Sequence, residues 1–314
     1  MEQSNRTMRM YQSLAEIAEQ ALLNMETQQS APASTTAELD PSILKAFAKR
    51  LVKVLDEIAA EDEVAEHAQY VQARASLMAT IEQVADVTDA TINHLCAALS
   101  STRDAIRPLQ IAATADNMMA QQALAQHWLD VYAPASVDPS LSEPYQALHV
   151  TVTTNRFGLL QALGVFDHEL VAFHRESREF LDELVGGLYL KVAQYQLLQF
   201  ADLVNFFSAA HLYVAIASAP EEYMVIGQLI QQLEPVLSDK IMSLSDLPTV
   251  ATYVQDLYTN AAMVWQSNAT LTPESDRLMA ESQAALAQAA TRDDYRSVVA
   301  LLRQVRFEQP TLAN

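Results

Sequence analysis

DPSILKAFAKRLVKVLDEI, residues 40–58, has the pattern of one amphipathic helix. Asp40 is placed to cap the free N–H groups of a first turn, and Pro41 suits that turn because its missing N–H has no partner to lose there. Leu44, Phe47, Leu51, Val54/Leu55 and Ile58 then recur at three- and four-residue spacing, the stripe of a helix with one buried face. The same spacing extends outward in both directions. Tyr11, Leu14, Ile17/Ala18, Ala21/Leu22 and Met25 precede it, separated by the polar linker SAPASTTAELDPS at 30–42; Tyr70, Leu77, Ile81 and Val84 follow with little to stop the pattern. Asp86–Asp89 is a re-start, followed by Ile92, Leu95/Cys96, Leu99 and Ile106. Pro108 predicts a kink or break, and helix resumes through Leu109, Met118/Met119, Leu124, Trp128 and Val131.

Glycine usage supports an all-α fold. The 314 residues contain five glycines, and none before Gly158, where ordinary usage of about 7% gives roughly four times as many. Tight hairpins and phosphate-cradling loops need glycine for positive φ and close backbone approach. A Rossmann unit, a P-loop or a run of β-hairpins is therefore excluded from the first half. The expected architecture is a multi-helix bundle with long, partly coiled-coil-like N-terminal helices.

APASVDPSLSEP, residues 133–144, carries three prolines and predicts a connector. Aromatic usage changes near it: three aromatics lie in residues 1–127 and nineteen in 128–314. Alanine-, leucine- and methionine-rich seams suit slender helix pairs, whereas aromatics fill wider cores. The expected organisation is an elongated helical region over 1–132, the connector at 133–144 and a compact, aromatic-rich bundle over 145–314. Within the last, His149-Val-Thr-Val-Thr-Thr154 is strand-like, and helices are expected over 157–185, 188–218, 221–237, 247–267, 273–290 and 292–306, with Gly186-Gly187 and Pro220 at two of the boundaries. Thr291 followed by Asp294 carries capping chemistry. The final helix pair resembles one tetratricopeptide-type hairpin, but no second copy exists at a fixed period, which rules out a repeat array.

Charge narrows the partners. The net charge is −20, from 39 acidic and 19 basic residues. Such a surface repels nucleic-acid phosphates and anionic lipid. The densest basic cluster (Lys45, Lys49, Arg50, Lys53) is followed directly by Asp56, Glu57, Glu61, Asp62 and Glu63, as on a solvated helix face. No nucleic-acid partner is expected, and no stable transmembrane segment, because no 18-residue stretch lacks polar side chains. The single cysteine, Cys96, excludes an internal disulfide framework and, flanked by Ile92, Leu95 and Leu99, fits a small buried residue. MEQSNRTMRMYQ lacks the apolar run of a signal peptide, so a cytoplasmic or other reducing intracellular location is expected.

Catalytic and metal motifs are sparse. No Glu-x-x-His occurs, so the carboxylate-bridged metal bundle has no ligand set. His168 and His174 are six residues apart, about 240° around a helix, and cannot share a zinc ion as the histidines of a zinc protease do. Asp293-Asp294 is the sole adjacent aspartate pair and suits a helix N-terminus better than a diphosphate site. No catalytic, cofactor-binding or metal-ligating residue is assigned, and no cofactor.

One segment departs from the amphipathic pattern. In VAQYQLLQFADLVNFFSAAHLYVAIASAP, residues 192–220, the only charge is Asp202, and Gln196, Gln199, Asp202, Asn205, Ser208 and His211 recur every third residue. Three residues turn a helix by about 300°, so this polar row drifts around every face. Three readings fit: an enclosed central helix whose polar atoms bond internally, a face hidden by a partner, or a segment that inserts into a membrane. Gln199, Asp202, Asn205, Ser208 and His211 are the candidate buried polar network or ligand site. The leading functional expectation is a non-enzymatic structural or adaptor protein acting through protein partners or self-association. A helical pore-former using 192–220, or an enzyme or small-ligand carrier with a pocket in the C-terminal bundle, are the alternatives.

Overall fold

The computed structural model describes residues 14–20, 23, 40–154, 157–195, 201–243, 246–267 and 273–305, without the side chains of 201–202 and 264–267. Residues 14–20 are helical. Twelve helices follow: α1 (Pro41–Glu61), α2 (Ala68–Gln83), α3 (Asp89–Asp104), α4 (Ile106–Thr114), α5 (Met118–Tyr132), α6 (Pro139–Thr153), α7 (Leu159–Gln194), α8 (Ala201–Ile216), α9 (Pro220–Ser243), α10 (Leu247–Ser267), α11 (Pro273–Gln288) and α12 (Arg292–Leu302). No strand occurs among the described residues. The protein is an all-α, multi-helix fold.

Local chemistry sets the helix ends. Asp40 accepts from the Ser42 N–H at 2.8 Å with Pro41 in the first turn, and Asp138 does the same for Ser140 ahead of Pro139. Thr291 and Asp294 form a reciprocal capping box on α12. The continuous pattern from residue 40 to 84 is interrupted at 62–67. There the Val64 N–H bonds back to the Ala59 carbonyl and the Glu63 N–H to Ala60, the paired bonds of a Schellman stop, with Val64 fully buried beneath the turn. Glu63 takes the left-handed position (φ 57°) that glycine fills in most proteins. Pro108 acts as expected: α3 ends at Asp104, the residue whose carbonyl the proline ring would otherwise strike, and α4 starts at Ile106.

Two expectations are corrected. His149–Thr154 is not a strand but the end of α6. The hydroxyls of Thr151, Thr153 and Thr154 donate to the carbonyls of Ala147, His149 and Val150 one turn back, which satisfies them inside a helix. Burial of Leu141 and Leu148, two turns apart on one face, outweighs the β-branched preference. Gly186-Gly187 is likewise no boundary, since α7 runs through it for 36 residues. Leu181, Val185, Leu188 and Val192 form a buried stripe that spans the pair and holds the helix together across it.

By backbone contact the chain forms two compact units, residues 1–231 and 232–314, with the boundary inside α9. Residues 133–144 lie within the first unit, as the 3₁₀ turn Ala133–Ala135 and the first turns of α6. In that unit α8 packs against α1, α3 and α7. Leu203, Phe206, Phe207, Leu212, Tyr213 and Val214 are all buried, which makes α8 the enclosed helix of the unit. A second cluster gathers Trp128, Leu129, Tyr132, Leu163 and Phe166 between α5, α6 and α7. In the smaller unit, Leu278, Met279 and Val305 pack with Tyr258, Leu301 and Leu302, and Tyr253 donates to Ser238 at 2.5 Å. Among the described residues no helix is long and apolar enough to cross a membrane.

Candidate functional site

The candidate network of the sequence is dispersed along α8. Gln199 lies outside the described residues, and Asp202 is within the helix with its side chain likewise outside them. Ser208 is buried but donates to the Val204 carbonyl of its own helix. His211 pairs with Asp182 of α7 at 3.0 Å on the half-exposed edge. Asn205 and Ser208 line one cavity of about 310 Å³ with Ile17, Ile43, Leu44 and Phe47, while Ser208 and His211 line another of about 300 Å³. The structure does not gather the described members into one hydrogen-bonded site.

The concentrated polar chemistry lies elsewhere in the first unit, where the ends of α3, α4, α5, α8 and α9 meet the middle of α7. Arg103 and Arg107 flank the α3–α4 break and are 7% and 4% exposed. The Arg107 Nε donates to Asp167 at 2.9 Å. Arg103 has Nε and Nη1 closed off from solvent without a hydrogen-bond partner. Burial holds its guanidinium below the ordinary arginine range, while the carboxylates of Glu222 and Asp62 act in the opposite sense. Charge is thus partly balanced, but two strong donors are left unmatched, which costs roughly 1–3 kcal/mol each.

Arg103, Arg107, Gln110, Tyr132, Ser218 and Glu222 line a cavity of about 310 Å³. Glu61, His127, Asp130 and Glu221 form its exposed edge, with Asp62 half-buried between. Glu222 is itself almost fully buried, and one of its oxygens accepts from the N–H groups of Ser218 and Ala219 at 2.6 and 3.1 Å. It caps the start of α9 and fixes the 217–219 turn in the cavity wall.

Behind that wall sits a buried triad of rings. His174 of α7 is 1% exposed. Its Nε2 lies 2.9 Å from the Tyr132 hydroxyl and its Nδ1 2.6 Å from the Tyr223 hydroxyl. Each tyrosine also reaches the turn: Tyr132 to the Ser218 carbonyl and Tyr223 to the Ala217 carbonyl, both at 2.9 Å. Burial, then the charges of Arg107, Arg103 and Arg178, hold the imidazole well below its ordinary range, so it is neutral at pH 7. Burial raises both phenols, which remain protonated. Arg178 grips Asp104 at 3.1 Å and donates to the His174 carbonyl, locking α7 against α3.

Other chemistry is thin. Burial and the nearby Asp182 charge push the Cys96 thiol up to about 12, so it stays a thiol rather than a nucleophile. No group of three His, Cys, Asp or Glu residues among the described residues is placed to hold a metal ion.

Sequence reasoning missed Arg103, Arg107 and His174, although a signal was present. Arg103 falls on the apolar stripe Leu95, Leu99, Ile106, where a charged residue of an acidic chain has no surface role. Set beside this geometry, comparison with protein-family models, with curated proteins and with solved structures finds no match.

Proposed function

We propose that this chain is a non-enzymatic helical protein that holds a small oxyanion-bearing ligand in the Arg103 cavity. The observation that carries the proposal is the buried, half-unmatched guanidinium of Arg103 beside an open cavity of about 310 Å³. Buried donors without partners are rare in folded proteins, so each one has a specific physical cause. A carboxylate or similar oxyanion in the cavity sets a negative charge against the Arg103 guanidinium that lines it. The acidic edge of Glu61, Asp62, Asp130 and Glu221 repels polyanions, so the fitting class is compact: a monoanion, or a zwitterion whose cationic end meets that edge. Thermal denaturation of the full chain in acetate, against chloride at equal ionic strength, tests this. Acetate is expected to raise the midpoint for the wild type and not for Arg103→Gln. Equal shifts in both proteins, or none in the wild type, would falsify the proposal.

A second reading, action through protein contacts or self-association, rests on α7. Val165, Phe180 and Leu190 are 51%, 60% and 67% exposed and fall within about 80° of one another around the helix. Light scattering of the wild type and Phe180→Glu tests it. A monomeric wild type at every concentration removes the self-association form.

A further inference from the structure

On the footing of that ligand site, we propose that an anion entering the Arg103 cavity draws a proton onto His174, so that binding and proton uptake are one linked event. Four polar contacts run through the triad: Ser218 carbonyl to Tyr132, Tyr132 to His174 Nε2, His174 Nδ1 to Tyr223, and Tyr223 to Ala217 carbonyl. Each requires one hydrogen. Two phenols and a neutral imidazole supply three. Whichever tautomer forms, one tyrosine turns its hydrogen toward the ring, and the carbonyl of Ser218 or Ala217 loses its donor. An imidazolium supplies the fourth hydrogen: both ring N–H groups donate to the phenol oxygens, and both phenols donate to the turn.

The geometry therefore favours a cation that the surrounding charge opposes. The ionisable groups that act on His174 are Tyr132 from α5 and Tyr223 from α9, which bond its ring, and Arg103 from α3, Arg107 from α4 and Arg178 from its own helix, with the Glu222 charge acting on both tyrosines. Asp167 neutralises Arg107 and Asp104 neutralises Arg178 by direct pairing. Arg103 is the one whose Nε and Nη1 remain unmatched. An anion bound there offsets one of the three arginine charges that, after burial itself, keep the imidazole neutral. The protonated ring in turn completes the bonds to Ala217 and Ser218, and Ser218 belongs to the cavity wall. Two sites that favour each other must do so reciprocally, so lower pH tightens anion binding.

Titration calorimetry of the full chain with sodium acetate, between pH 6 and 7.5 in buffers of different ionisation enthalpy, measures the proton count directly. Acetate stays ionised throughout, so any uptake belongs to the protein. The expected result is uptake approaching one proton per acetate, with affinity rising up to about tenfold for each unit fall in pH. His174→Gln, which keeps one donor and one acceptor, is expected to bind acetate with no uptake and no pH dependence. Tyr223→Phe, which removes one ring contact, is expected to lower the uptake. Acetate binding by the wild type without proton uptake overturns the linkage and leaves the anion site standing. Uptake that persists in a folded His174→Gln also overturns it. Absence of acetate binding at every pH overturns both.

Discussion

At the scale of single residues, the balance at Arg103 sets a stability against a function. Its two unmatched donors lower stability, and an apolar side chain of similar length removes that penalty. Glu222 does not become an orphan in the exchange, because the Ser218 and Ala219 N–H groups hold its carboxylate. Arg103→Met is therefore expected to raise stability in acetate-free buffer by up to roughly 2–6 kcal/mol, less the lost attraction to Glu222 and Asp62, while abolishing any gain from acetate. Urea denaturation with and without the anion measures both effects, and a destabilised Arg103→Met shows that the guanidinium is structural. This residue also shows where legibility ended. Carboxylate, histidine and glycine spacings signal chemistry in a sequence, and a lone arginine inside an apolar stripe matches none of them. His174 has as its nearest histidine in the sequence His168, six residues away on another face of the helix. Its true partners, Tyr132 and Tyr223, lie 42 and 49 residues away, and only packing brings them together.

At the scale of elements, helix starts were the most legible feature, because a cap is a local event. Asp40-Pro41, Thr291–Asp294 and the Pro108 break all act within a turn of where they are written. Errors came where tertiary burial outweighed a local preference, as in the threonine-rich end of α6 and the glycine pair of α7. The glycine pair leads to a measurable consequence. A Cβ added at Gly187 meets no atom within 4 Å, and neither helical glycine of the pair has a positive φ. No steric reason requires glycine there, and in a helix interior it costs about 0.5–1 kcal/mol relative to alanine through backbone entropy. Gly187→Ala is thus expected to stabilise the protein by that amount, read as a higher urea midpoint with an unchanged slope. A loss of stability would mean that α7 needs a hinge at this point.

At the scale of the whole molecule, two opposing effects govern the response to acid. The net charge of −20 shrinks as pH falls toward the isoelectric point near 4.6, which relieves repulsion across the surface. Those charges are mostly exposed, and at physiological salt interactions beyond about 8 Å are screened, so the relief per pH unit is small. His174 pulls the other way. Its folded-state pKa is depressed by burial and three arginines, whereas in the unfolded chain it titrates at about 6.5. Below that pH the unfolded state binds a proton that the native state does not, and stability falls by up to about 1.4 kcal/mol per pH unit until the folded-state pKa is reached. Above about pH 7 neither state is protonated and the term vanishes. One buried imidazole therefore outweighs many screened carboxylates in this window. Urea midpoints of the wild type, in moderate salt without acetate, are expected to decline between pH 7 and 5. Those of His174→Gln start from a different value but decline less over the same interval. Parallel curves for the two proteins would place the acid sensitivity in the surface carboxylates and remove His174 as its source.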